Sequence, residues 1–98
     1  MGLQGQTVRI MVSEPRGWDE NLFGKILSDR GGKRLLVELT KPIKWNRLKS
    51  DLIALRPIYE KDTFKPLQQY YAVNVQGTLI GKDGEEIVLL LVAQVTLD

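Results

Sequence analysis

The sequence predicts a mainly β fold. Short runs that alternate apolar and polar residues recur along the chain, and Gly, Pro, Asn and Asp separate them. A chain of 98 residues with 43% apolar and 27% charged residues is typical of one globular domain, which we place at 1–98. The elements follow from these runs in chain order.

The first two strands are the clearest. In "QTVRIMVSEP" the residues Val8, Ile10 and Val12 share one face, and the run stops at Pro15. After a loop rich in Pro and Gly, "LFGKILSD" predicts a second strand. Gly24 within it indicates a bulge or a close approach of another backbone.

A hairpin joins the second strand to a third. "DRGG" predicts a turn, because Gly31 and Gly32 adopt positive φ at little cost. "KRLLVELT" then predicts the third strand. We expect Pro42 to limit its pairing, since proline has no N–H to donate.

The segment "WNRLKSDLIALRPI" has two interpretations. Trp45, Leu48, Leu52 and Leu55 have helical spacing, so a helix over about 45–55 would give an α+β fold. The other interpretation has a strand near residue 48, a tight turn at Ser50, and a short strand over 54–58. The sequence leaves both open.

The C-terminal third predicts a hairpin. "QQYYAVNVQGTLI" alternates, and Asp83-Gly84 favours a tight turn. The returning run "IVLLLVA" is apolar throughout, so both of its faces need cover. Either the strand lies centrally in the fold, or a homodimer covers it through four interface residues, Ile87, Leu89, Leu91 and Ala93.

The N-terminal half resembles small SH3-like barrels. "GQTVRI" opening a strand, then "FGKILSD", then "RLKSDLIALRPI" is similar in layout to the PsaE-type photosystem subunit and other small ferredoxin-docking subunits. The resemblance implies an SH3-like barrel over 5–58. The remaining strands, over 67–98, would form a C-terminal β-hairpin appended to it.

The residue types argue against an enzyme. The chain has no histidine and no cysteine, which removes the commonest general base and the thiolate ligands of metal sites. It contains neither a glycine-rich phosphate loop nor clustered acids with the spacing of a calcium loop. We expect no cofactor and no metal. We also expect no membrane span and, from the absence of a signal peptide, a cytoplasmic location.

Charge is unevenly distributed. Residues 30–56 carry eight basic and two acidic side chains, while the other residues carry six basic and ten acidic ones. Such asymmetry steers an acidic partner to one side of a molecule. The predicted partner-binding residues are seven of these eight basic side chains together with one loop tryptophan: Arg30, Lys33, Arg34, Lys41, Lys44, Arg47, Lys49 and Trp18.

The two tryptophans differ in their expected roles. Trp18 lies in a Pro/Gly loop among charges, where an exposed aromatic side chain is typical of a binding hot spot. Trp45 lies between Ile43 and Leu48, so we expect its side chain to pack in the core rather than to form a stacking surface.

These observations predict a non-catalytic interaction module, or a small subunit of a larger assembly, that docks an acidic protein through its basic face. The alternative is a small β-barrel that binds nucleic acid with the same residues. The modest net charge of +2 and the absence of a known RNA-binding signature favour the protein partner.

Overall fold

The computed structural model describes residues 3–14, 21–45, 48–59, 64, 72–81, 84 and 86–98, with the backbone alone at 45, 48 and 87–90. This part of the chain is almost entirely β, as the sequence predicts. The strands are β1 (Thr7–Glu14), β2 (Leu22–Ser28), β3 (Leu35–Trp45), β4 (Leu48–Pro57), β5 (Val73–Ile80) and β6 (Glu86–Leu97), and a 3-10 turn covers Arg30–Gly32.

The six strands form a closed antiparallel barrel. Each strand pairs with its neighbours in chain order, and β6 returns to pair with β1. Val8 of β1 therefore lies opposite Gly24 of β2 on one side and Leu97 of β6 on the other. Closure pairs the two strands that would otherwise be sheet edges.

The C-terminal hairpin belongs to the barrel wall, so its predicted place as an appendage to an SH3-like barrel is wrong. β5 pairs with β4 from Leu52↔Ile80 to Pro57↔Val75. β6 completes the wall by pairing with both β5 and β1. What holds of the predicted fold is the coarser statement, a small antiparallel β-barrel.

Alternate residues of the strands fill the barrel interior with apolar side chains, as the two-residue period of a strand requires. The innermost side chains come from every strand and are each at most 1% exposed: Val8, Ile10, Ile26, Leu35, Val37, Ile53, Leu55, Val75, Leu79, Leu91, Ala93 and Val95. The alternation is clearest at the start of β5, where Val73 and Val75 are buried and Asn74 and Gln76 are exposed.

Two residues outside the strands pack on the core beside the β2–β3 turn. Phe64 is fully buried, and its backbone N–H donates to the carbonyl of Gly32 at 2.7 Å. Leu3 is partly buried against the core, and its N–H donates to Asp29 Oδ2 at 2.7 Å. The chain between β4 and β5 therefore contributes to the core, which the sequence did not predict.

The helix predicted over about 45–55 is wrong for its described part, since 48–55 is a strand, and the tight turn expected at Ser50 is also absent. Residues Leu48–Pro57 form one continuous strand. Leu55 points into the core and is fully buried, whereas Leu52 lies on the outer face and is partly exposed. Leu52 and Leu55 are three residues apart, a spacing that puts two residues on one face of a helix but on opposite faces of a strand.

β3 continues through Pro42 instead of stopping before it. Its pairing with β4 shifts between Glu38↔Leu52 and Ile43↔Ser50, so four residues of β3 stand against one residue of β4. Pro42 lies inside this bulge, where a missing N–H costs no regular ladder hydrogen bond. Beyond the bulge the two strands pair again as far as Trp45↔Leu48.

Two glycines have the roles that the sequence predicts for them. Gly32 adopts φ +82° in the β2–β3 turn. At Gly24 a Cβ atom would lie 2.5 Å from Val37 Cγ1 and 2.6 Å from the carbonyl oxygen of Glu38. Gly24 is therefore a close-approach point between β2 and β3.

Candidate binding surface

The barrel divides the predicted basic face into two groups. β3 and β4 run antiparallel, from Leu35↔Leu55 at one end to Lys44↔Lys49 at the other. Leu35 and Lys44 are nine residues apart on β3. At a rise of about 3.3 Å per residue the distance between them is at most about 30 Å, and the bulge shortens it. Arg34 and Arg56 flank the first end of this hairpin, and the lysines of the stretch lie near the second.

Glu86 forms ion pairs with two arginines of the first group, and its single charge offsets one of their two positive charges. Its Oε1 atom is 3.2 Å from Arg34 Nη2 and 3.6 Å from Arg56 Nη2. The Arg34 side chain is only 24% exposed. Its contact with Glu86 is a hydrogen bond as well as an ion pair, because Nη2–H donates to the carboxylate oxygen. Arg34 can therefore meet a partner only by sharing or leaving an ion pair within its own chain.

Arg30 is the first residue of the 3-10 turn that precedes β3, Lys33 follows the turn, and both are exposed. Arg30 adopts φ +39°, and its carbonyl accepts a hydrogen bond from the Lys33 N–H at 3.3 Å. These two cations belong with the first end of the hairpin, away from the lysines of the second group.

The second group forms what we call the lysine arm, residues 40–50. Lys41, Lys44 and Lys49 are exposed, and Lys44 lies directly opposite Lys49 across the two strands. Among the described residues none of the three is within ion-pair distance of an acid. Like charges at directly opposite cross-strand positions are destabilising, so the arm carries this pair at a small cost in stability.

Two buried residues fix the arm to the end of the barrel. Ile43 and Ser50 form a cross-strand pair, and each is 6% exposed. The Ser50 hydroxyl donates to the carbonyl of Ile80 at 2.5 Å and accepts from the N–H of Leu52 at 3.2 Å. Since a buried hydroxyl requires such partners, Ser50 holds the arm against the last residue of β5.

The remaining predicted site residues divide between described and undescribed parts of the chain. Arg47 and Trp18 lie outside the described residues. The backbone places Trp45 opposite Leu48, and nothing further is described of either side chain.

The predicted homodimer interface divides in the same way. Leu91 and Ala93 are 0% and 1% exposed in the interior of one chain, which covers these two residues without a second copy. Ile87 and Leu89 lie on β6 with only their backbone described. The homodimer therefore stays a prediction.

Sequence reasoning missed an exposed aromatic side chain on the barrel wall. Phe23 is 40% exposed on the outer face of β2 and lies directly opposite Arg9. A signal for it exists in the sequence, because Phe23 and Lys25 alternate with Gly24 and Ile26. Once Ile26 is assigned to the core, Phe23 must face outward.

Within the described ranges we find no group of three or more acidic side chains placed to hold a metal ion. The same part of the chain contains no helix of the length and apolar character needed to cross a membrane. Comparison of the whole chain with protein-family models, with curated proteins and with solved structures finds no match.

Proposed function

We propose that the barrel is a non-catalytic interaction module that docks an acidic partner protein through the lysine arm. The carrying observation is the exposed Lys44–Lys49 pair, which has no counter-charge among the described residues. An acidic partner would supply that counter-charge and relieve the repulsion between the two ammonium groups.

Charge distribution favours a protein over a nucleic acid as the partner. Outside residues 30–56 the chain carries six basic and ten acidic side chains. A long polyanion that extended past the arm would meet this acidic remainder.

The resemblance to small ferredoxin-docking subunits implied docking within a larger assembly. Because β5 and β6 belong to the closed barrel, the layout on which that resemblance rests does not hold, and the proposal depends on the lysine arm alone.

The proposal is tested by reversing the charge of the arm. In the variant K44E/K49E the two positions still repel each other, so its stability should remain close to that of the wild type. Association with polyglutamate, measured at several salt concentrations, should slow by about tenfold or more at low salt and lose most of its salt dependence. The measurement is a stopped-flow or surface-binding rate.

The matched control is R30E/K33E, which makes the same change in net charge at the opposite end of β3. It should leave the rate within about twofold of the wild type, since Arg30 and Lys33 lie at the end of the β3–β4 hairpin that is remote from the arm. Equal losses in the two variants would show that net charge, and no particular surface, drives binding. Stronger binding of duplex DNA than of polyglutamate at the same salt concentration would favour the nucleic-acid alternative.

A further inference from the structure

A second exposed feature lies beside the arm, on the outer face of β1 and β2. Phe23 exposes 40% of its surface, whereas the other phenylalanine of the chain, Phe64, is fully buried. Aromatic side chains on a sheet surface are costly to leave in water and are enriched in the centres of protein interfaces. Phe23 is therefore a candidate anchor for a partner.

Arg9 lies directly between Phe23 on β2 and Thr96 on β6. Its Nε atom and the Thr96 hydroxyl are both buried, and neither has a hydrogen-bond partner in the part of the chain that the structure describes. No acid of the described residues lies within ion-pair distance of Arg9. A partly buried guanidinium without a counter-charge is destabilising, so a carboxylate that reached it from outside would be bound favourably.

This pair of residues adjoins the arm. Gly24 lies opposite Leu39, so Phe23 is level with Thr40, where the arm begins. Thr40 and Lys41 are both exposed. Neighbouring strands are about 4.8 Å apart, which puts Arg9 about 10 Å from the root of the arm, with Phe23 between them.

The spacing suits one extended segment of a partner. An extended chain advances about 3.3 Å per residue, so three to four residues cross from Arg9 over Phe23 to Lys41. Carboxylates at the two ends of such a segment would meet Arg9 and the arm. A large apolar side chain between them would cover Phe23.

We infer that Phe23 is the apolar anchor, and Arg9 a further cationic contact, of the surface to which the lysine arm belongs. The occupant is an extended acidic segment in which acidic residues flank one large apolar residue. This inference rests on the proposed function and names the chemistry of its partner. Arginine and aromatic side chains dominate the energetics of such surfaces, while the peripheral lysines govern the rate of encounter.

Two synthetic peptides test the inference. Each carries two glutamates on either side of a central residue, which is leucine in one peptide and glycine in the other. The wild-type protein should bind the leucine peptide about tenfold more tightly, the usual scale of an interface anchor. The variant Phe23→Ser should bind both peptides equally, at the affinity that the wild type has for the glycine peptide.

The matched control is Tyr59→Ser, since Tyr59 is 62% exposed at the other end of the β3–β4 hairpin. It should keep the full preference for leucine. Arg9→Gln should weaken both peptides several-fold, and the melting temperatures of all variants report whether they remain folded.

Each contrary outcome has a distinct meaning. Salt-dependent binding without a preference for leucine would overturn the anchor and leave the proposed function intact. Failure of the folded wild type to bind either peptide would overturn both. Oligothymidine that binds as tightly as the leucine peptide and depends equally on Phe23 would replace the acidic segment by a stacked nucleobase.

Discussion

Gly24→Ala is expected to lower the free energy of unfolding by about 3 kcal/mol. The new methyl group would lie 2.6 Å from the backbone oxygen of Glu38 and 2.5 Å from Val37 Cγ1. A side chain can rotate away, but the backbone oxygen belongs to the β2–β3 ladder, so the two strands must separate. Urea unfolding followed by circular dichroism measures the loss.

Gly77→Ala is the matched control on β5. The nearest atoms to its added methyl group are side-chain atoms, Leu55 Cδ2 at 3.1 Å and Ile53 Cδ1 at 3.2 Å. These groups can shift by a few tenths of an ångström, so we expect a loss of about 1 kcal/mol or less. Equal losses at the two glycines would contradict the close approach of β2 and β3.

Phe64→Ala is expected to cost about 3–5 kcal/mol, the usual range for a fully buried phenylalanine. Phe64 is 0% exposed, and its backbone is held to the β2–β3 turn by the hydrogen bond to Gly32. Loss of the ring would leave a cavity in the core at this turn. Denaturant unfolding with a single cooperative transition is the appropriate measurement.

Phe23→Ala provides the control with the same chemical change at an outer position. Because Phe23 is 40% exposed, its removal should cost less than about 1 kcal/mol. If Phe64→Ala cost no more than Phe23→Ala, the segment between β4 and β5 would not be part of the core.

Local pattern was sufficient for the strands that alternate cleanly. On β1 two of the three predicted inner residues, Val8 and Ile10, are fully buried, and the third, Val12, is partly buried against the core. On β5 the alternation places Val73 and Val75 inside. Alternation is a local property, since one face of each strand packs against the core whatever its neighbours are. These strands could be predicted without any knowledge of the topology.

The errors occurred where long-range structure overrides the local signal. Leu52 lies on the outer face of β4 and Leu55 on the inner face, so an apolar side chain on the outside imitated a helical period. The presence of Pro42 is compatible both with the end of β3 and with a bulge inside it. Which of the two occurs depends on the register with β4, and the local sequence does not contain that information. Closure required the β1–β6 pairing, which joins residues as distant as Val8 and Leu97.

The same limit applies to the binding surface. Composition alone identified the basic stretch. We expected its residues to form one face, but the β3–β4 hairpin divides them between its two ends. Glu86 is distant in sequence from Arg34, so the ion pair that occupies this arginine could not be anticipated. The Lys44–Lys49 pair likewise depends on the register of β3 and β4 beyond the bulge.

The most direct test of the account is the single variant Lys44→Glu, measured for both stability and binding. The glutamate would lie opposite Lys49 and convert a repulsive cross-strand pair into an attractive one. We predict that the free energy of unfolding rises by about 0.2–1 kcal/mol while polyglutamate binds more weakly. Unchanged polyglutamate binding would contradict the claim that the lysine arm binds an acidic partner. A fall in stability would contradict the claim that Lys44 and Lys49 repel each other in the free protein.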